Sequence, residues 1–212
     1  MDSYGALILA GGSARRLGRV HKPGLLVGGV PILQRVLTAV PDASPRVVVG
    51  PPQPVPPDVL VVRENPPGGG PVAALSAGLP ALVDADWVAL LAGDLPFLTP
   101  AVLRSLRIGA SGYDGAVLVD SDGRDQYLAG VYRVGALSDS VTSVGPPSGV
   151  PLRRVARGLR LARVTAAPRP GVAPPWLDCD DADDLRAAEA FARQASGQSG
   201  NRPSVGQKEA DG

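Results

Sequence analysis

The chain has 212 residues, 44% of them hydrophobic, with a mean hydropathy of +0.10 and a formal net charge of +1, enough for one well-buried domain rather than two. Such a charge supplies no global field for nucleic acid, and no run of basic residues replaces it, so anion recognition has to be local. One Cys and one His exclude a disulfide framework and a Cys/His zinc site, which leaves oxygen to hold any metal, and no apolar stretch approaches the ~20 residues of a membrane span.

The first predicted element is the apolar run from Tyr4 to Ala10, which fits a strand buried on both faces. It ends in Gly11-Gly12-Ser13-Ala14-Arg15-Arg16-Leu17-Gly18 and reaches His21-Lys22-Pro23. The glycines let backbone approach a ligand, and the surrounding charges are all basic, so the loop is built to meet an anion. A phosphorylated small molecule is the expected ligand. Pro31 to Val40 then carries Ile32, Leu33, Val36, Leu37 and Val40 at helical spacing, with Pro31 in the first turn. Strands are expected at Arg46 to Val49 and Val59 to Val62, and a loop at Glu64 to Gly70, where Pro and Gly forbid regular structure.

Pro71 to Leu82 reads as a helix, and Trp87 to Leu91 as a second uniformly apolar strand that leads into Gly93-Asp94-Leu95-Pro96-Phe97. Thr99 is the predicted N-cap of a helix over Ala101 to Leu106, with Pro100 at its first position. Gly115 to Val119 and Tyr127 to Tyr132 read as strands joined by a polar turn from Asp120 to Asp125. A short helix at Arg153 to Ala156 and a strand at Leu159 to Val164 follow. Asp180 or Asp181 caps a last helix through about Arg193, so residues 1–195 form the domain and residues 196–212 a disordered polar tail. The start Met1-Asp2-Ser3 lacks a basic export region, making the cytoplasm the expected compartment.

Strands alternate with helices, which calls for an α/β fold with a mostly parallel sheet and helices on both faces. Ligands of such sheets sit beyond the carboxyl ends of the strands, where Gly11 to Lys22, Arg63 to Gly70 and Ala92 to Pro96 converge. Neither the dinucleotide fingerprint nor the Walker pattern is present. What is present is Leu9-Ala10-Gly11-Gly12, Arg16-Leu17-Gly18, Lys22-Pro23 and Gly70-Pro71-Val72-Ala73-Ala74-Leu75, and then Ala92-Gly93-Asp94-Leu95-Pro96, the run Asp125 to Arg133, and Asp178-Cys179-Asp180.

In that order these motifs resemble the molybdenum cofactor guanylyltransferases, over roughly residues 4 to 193. The resemblance implies their nucleotidyltransferase fold, a three-layer sandwich around a Rossmann-like twisted sheet shared with the nucleotide-diphospho-sugar transferases. It also implies Mg²⁺-dependent transfer of GMP from GTP to the phosphate of molybdopterin, with release of pyrophosphate. Partners would then be GTP or CTP, a phosphorylated pterin and cofactor-assembly proteins or molybdoenzymes, with no nucleic acid and no membrane. His21 stands where the family has Asp, and Asp178-x-Asp180 replaces an Asn-x-Asn pair. The latter pattern is also that of cytidylyltransferases and phospholactate guanylyltransferases, so the base and the acceptor stay open. A nucleotide-binding chaperone without transfer activity is the more distant alternative.

On this reading the nucleotide meets Leu9, Ala10, Gly11, Gly12, Lys22, Glu64 and Asp94. Gly11 and Gly12 would present N–H groups, and Arg16 and Lys22 would hold the β and γ phosphates. Arg15 and Arg19 read as a solvated loop face. Asp94, exposed at a strand end before a Pro-fixed turn, is the expected Mg²⁺ ligand, with Asp180, and behind it Asp178, as the further acidic group. The catalytic set is therefore Arg16, Lys22 and Asp94, while Gln126, Tyr127, Tyr132 and Arg133 match the part of the family that faces the second substrate, with a plain core position as the alternative for Tyr132.

Overall fold

The computed structural model describes residues 3–11, 13–14, 20–21, 24–167 and 170–199, with backbone alone for 13–14, 20–21 and 196–199. The apolar runs become the strands of one seven-stranded sheet. β1 (Tyr4–Leu9) is followed by two short hairpins, β2 (Ser13–Ala14) with β3 (Val20–His21) and β4 (Leu26–Val27) with β5 (Val30–Pro31), and then by α1 (Ile32–Thr38). β6 (Arg46–Val49), β7 (Val59–Val62), α2 (Pro71–Gly78), a 3-10 turn (Leu79–Leu82) and β8 (Trp87–Ala92) complete the first half. The second half is α3 (Pro100–Gly109), β9 (Gly115–Val119), β10 (Asp125–Arg133), α4 (Val134–Ser143), α5 (Leu152–Ala156), β11 (Leu161–Thr165) and α6 (Ala182–Ser199).

The strand order is β11-β9-β10-β8-β1-β6-β7. β1 pairs in parallel with both β6 and β8, β6 with β7, and β11 with β9, while β10 alone runs antiparallel between β8 and β9. Because side chains alternate across each strand, the sheet feeds two cores. Ala6, Ile8, Val48, Ala89, Leu91 and Leu118 face α1, α3 and α6. Leu7, Val47, Val49, Val88, Leu90 and Val117 face α2, α4 and α5. The three-layer expectation therefore holds, and the uninterrupted apolar runs are explained by burial on both sides.

Several boundaries differ from the sequence reading. The helix expected to Leu82 ends at Gly78, where the chain tightens into the 3-10 turn containing Pro80. α3 begins at Pro100 as its cap implies, the Thr99 hydroxyl accepting the Val102 N–H at 3.3 Å, but it runs on to Gly109. α4, absent from the sequence reading, buries Leu137 and Val141 against the sheet. Asp181 is the N-terminal cap of α6, its Oδ1 accepting the N–H groups of Asp183 at 2.8 Å and Asp184 at 3.1 Å. That helix extends to Ser199, past the expected start of a disordered tail at Ser196. The remainder of that tail, residues 200–212, lies outside the described residues.

α6 also reaches back to the early part of the chain. Its Glu189 accepts the Gly28 N–H at 2.9 Å at the turn of the β4–β5 hairpin, while the Arg35 guanidinium donates to the Val27 carbonyl at 2.7 Å. Phe191 packs edge-on against Phe97 with ring centroids 6.1 Å apart.

Two predictions follow from the packing. A Cβ on Gly78 would lie 2.3 Å from Leu7 Cδ1 and 2.9 Å from Val49 Cγ2, both in the buried sheet face. Alanine is the better helix former by ~1 kcal/mol, but overpacking a core costs ~1–3 kcal/mol, so Gly78→Ala should lower stability in urea unfolding. At the start of β1, the Asp86 carboxylate accepts both the Ser3 hydroxyl at 2.8 Å and the Ser3 N–H at 2.7 Å, and the hydroxyl above all holds this carboxyl below its usual pKa. A carboxyl depressed on folding adds stability above its unfolded pKa and loses it as pH falls through the folded one. Asp86→Asn should therefore be less stable than the parent at neutral pH, with the difference closing on acidification below about pH 4.

Candidate active site

The functional geometry follows from the sheet order. β1 connects through α1 to β6 on one side, while β8 enters on the other, so a crevice opens at the carboxyl ends of β1 and β8. The ends of these strands are laced beyond their regular ladders: Ala10 N–H donates to Val49 O at 2.8 Å, Gly50 N–H to Val62 O at 2.9 Å, and Gly93 N–H to Leu9 O at 2.9 Å. A Cβ on Gly50 would lie 2.9 Å from the Ala10 carbonyl carbon and 3.1 Å from Gly11 N, and one on Gly93 would lie 3.1 Å from Ala10 Cα. The missing side chains at Gly50 and Gly93 let the chain leave β1 between its neighbours.

A cleft of about 340 Å³ occupies this crevice. Leu9, Ala10 and Gly11 form one wall with Gly70, Pro71 and Ala74, and Gly93 and Asp94 stand at its centre at the end of β8. Gln126 and Leu128 from the start of β10, with Trp176 and Asp178 from the segment before α6, form the other wall. The antiparallel run of β10 explains this, since its first residues lie beside the last residues of β8. Gly70 has φ +89°, a left-handed conformation that glycine adopts without strain, and it turns the chain into α2 with Pro71 in the first turn. The amino end of α2 thus borders the cleft, and its unpaired N–H groups and dipole favour an anion there.

Glu64 is buried, 8% exposed, and its Oε1 accepts the Gly68 N–H at 3.0 Å, closing the loop before α2. The same oxygen lies 3.6 Å from where a Cβ of Gly11 would be, so Glu64 backs the glycine turn. Of the two acidic residues named for a second metal ligand, Asp178 lines the cleft and Asp180 does not. The Asp180 N–H is turned toward α6, where it donates to Asp184 Oδ2 at 3.0 Å. Gly12, Arg15, Arg16, Arg19 and Lys22 lie outside the described residues, and His21 is described only as the backbone of β3.

Tyr132 takes the core position that was its alternative, and Arg133, expected near the second substrate, is elsewhere. Tyr132 is buried in the core under α4 and α5, with its hydroxyl donating to the Tyr127 carbonyl at 2.7 Å, and burial pushes its pKa far up. Arg133 stacks on the Trp87 ring, its guanidinium carbon 4.4 Å from the centroid, at the opposite end of β8 from Asp94. Both placements share a cause: β10 runs away from the cleft, so only its first residues reach it. The sequence reading also missed Trp176, which besides closing the cleft forms part of a neighbouring hollow of about 490 Å³ between α3, β11 and residues 166–167 and 172–176.

Comparison with known proteins agrees with this fold. The family model described as MobA-like NTP transferase domain matches residues 6–164. A probable molybdenum cofactor guanylyltransferase of Mycobacterium tuberculosis is 35% identical over 145 residues, 66% of this chain and 72% of that protein. Molybdopterin-guanine dinucleotide biosynthesis protein A from Archaeoglobus fulgidus has a similar structure, with TM-score 0.65 at 18% identity over 89% of this chain and 98% of that one. The 2-C-methyl-D-erythritol 4-phosphate cytidylyltransferase from Thermus thermophilus does too, with TM-score 0.65 at 21% identity over 91% of this chain and 100% of that one. At these identities the two structures speak for the fold, whereas the family model and the mycobacterial relative speak for the activity class. The chain belongs to the MobA-like NTP transferase family and is a nucleotidyltransferase of that type.

Proposed function

We propose that this enzyme transfers GMP from GTP to the terminal phosphate of molybdopterin and releases pyrophosphate. The observation that carries the reading is the position of Asp94 at the end of β8, with the glycine turn and the amino end of α2 on one side and Gln126, Leu128, Trp176 and Asp178 on the other. A two-substrate transfer needs such an arrangement, with a donor site, an acceptor site and a charge-handling group between them. The choice of guanine and of a pterin acceptor leans on the relatives named as probable molybdenum cofactor guanylyltransferases.

In the reaction an oxygen of the acceptor phosphate forms a bond to the α-phosphorus, and the bond from that phosphorus to the bridging oxygen breaks. The pyrophosphate leaves with the electron pair, so no protein nucleophile is required. The chain's contribution is positioning and charge neutralisation. Leu9, Ala10, Gly11 and Gly12 would shape the bed of the nucleotide, with backbone N–H groups and the amino end of α2 turned to the phosphates. Arg16 and Lys22 would take the β and γ phosphates and the charge that grows on the leaving group. Glu64 keeps one carboxylate oxygen on Gly68, leaving the other to accept from ribose or from guanine.

Magnesium fits the donor chemistry of the cleft. Asp94 and Asp178 are hard oxygen ligands on one cleft, and this ion takes one or two carboxylates together with waters and substrate phosphates. Asp178 therefore replaces Asp180 as the second acidic group in this reading. When bound, the ion supplies Lewis-acid stabilisation of phosphate charge.

Two measurements test the proposal. Asp94→Asn should cut kcat for pyrophosphate release by about 10²–10³, or ~3–4 kcal/mol, while the melting temperature stays within a few degrees; full activity would remove Asp94 from the site. GTP with Mg²⁺ at 100 times its Kd should add ~2.7 kcal/mol of stability and raise the melting temperature by several degrees. A shift with CTP and none with GTP would overturn the guanine assignment.

A further inference from the structure

The acceptor-side wall of the cleft contains a polar side chain whose orientation is set from outside it. The hairpin between β9 and β10 turns on Asp120, whose Oδ1 accepts the N–H groups of Asp122 at 2.9 Å and Arg124 at 2.8 Å. The Asp120 N–H in turn donates to the Arg124 carbonyl at 3.0 Å, and Arg163 braces the next residue through Asp125 at 2.7 Å. The second carboxylate oxygen of Asp120, Oδ2, accepts from Gln126 Nε2 at 2.8 Å. Gln126 is the first cleft residue of β10.

A carboxylate can only accept, so the amide group facing Asp120 must be the NH₂. This settles by chemistry which way the Gln126 amide is turned, a point that atomic positions alone leave to assignment. The Arg124 N–H above all, with Gln126 and the Asp122 N–H, holds the Asp120 carboxyl below the usual carboxylate range, so it stays an acceptor throughout the neutral range. The carbonyl branch of Gln126 is then the one left for a ligand. Its partner must carry an N–H or O–H, and a ligand edge of acceptors alone is refused.

We propose that Asp120 is a positioning residue that fixes Gln126 with its Oε1 toward the acceptor half of the cleft, so that Gln126 selects an acceptor substrate bearing N–H donors on a ring edge. The inference rests on the transfer reading above and deepens it. The pyrimidinone edge of a pterin, with a ring N–H and an exocyclic amino group, is such a donor edge. The nucleotide lies on the other side of Asp94 and does not use this contact.

The test is steady-state pyrophosphate release with GTP, Mg²⁺ and molybdopterin. In Asp120→Asn the new carboxamide can still accept the turn N–H groups through its oxygen, but it presents NH₂ to Gln126 and forces that amide to turn over. The KM for molybdopterin should rise about tenfold, with the KM for GTP within twofold of the parent. Gln126→Leu, which removes the contact without touching the turn, should raise the same KM to a similar extent. In the double variant Asp120→Asn with Gln126→Glu, one carboxylate oxygen of residue 126 accepts the new NH₂ at position 120 and the other is left to accept from the ligand, so it should recover most of the loss. A parent enzyme that transfers GMP to molybdopterin while Gln126→Leu keeps the parental KM, or while the double variant fails to recover, overturns the proposal and leaves the transfer reading standing. A parent enzyme that binds GTP and yields no pyrophosphate with molybdopterin overturns both.

Discussion

The site depends on how tightly the end of β1 is held between its two neighbours. Ala10 leaves the sheet with Gly50 on one flank and Gly93 on the other, and neither position has room for a Cβ without displacing backbone or the Ala10 side chain. This contact makes the carboxyl ends of β1, β6 and β8 coincide at one rim. The rim then places Gly11 beside the amino end of α2 and Asp94 beside the first residues of β10. A looser sheet end would leave most of the two cores in place, because of the three residues in this contact only Ala10 belongs to them. It would separate the glycine turn from the carboxylate.

The single antiparallel strand is what turns a nucleotide-binding sheet into a two-substrate one. β10 delivers its first residues to the rim and its last to the opposite edge, so one strand gives the cleft Gln126 and Leu128 and gives the far side Arg133 stacked on Trp87. The register slip between Gln126 and Gly130 against β9 marks where the strand departs from regular pairing at the cleft. Irregular backbone at the functional end and regular pairing at the other is the usual division between a positioned site and the scaffold under it.

Much of this was legible in the order of residues. β1 and β8 are uniformly apolar, and β6 ends in three valines, because both faces are covered; Gly11 and Asp94 come within two residues of the ends of β1 and β8, so strand ends and candidate site residues were read together. α4 was obscured by its Ser, Thr and Gly content, although Val134, Leu137, Val141 and Val144 carry a helical spacing. The choice between Asp178 and Asp180 turns on which of two nearby carboxylates faces inward, in a segment without regular structure, and alternation gives no guidance there. Gly50 and Trp176 act through contacts with residues far along the chain, a kind of information that no local pattern contains. Arg133 was misplaced, and Tyr132 was left between site and core, because strand direction, rather than residue type, decides which end of β10 meets the ligand.

α6 has a mechanical consequence. Glu189 grips the turn that follows the basic loop, and Phe191, two positions later, leans on Phe97 beyond Asp94. One late helix is thus riveted to the segments behind both halves of the cleft. A rod fastened at two such points ties those segments together, so it resists their drifting apart and holds the width of the mouth between them.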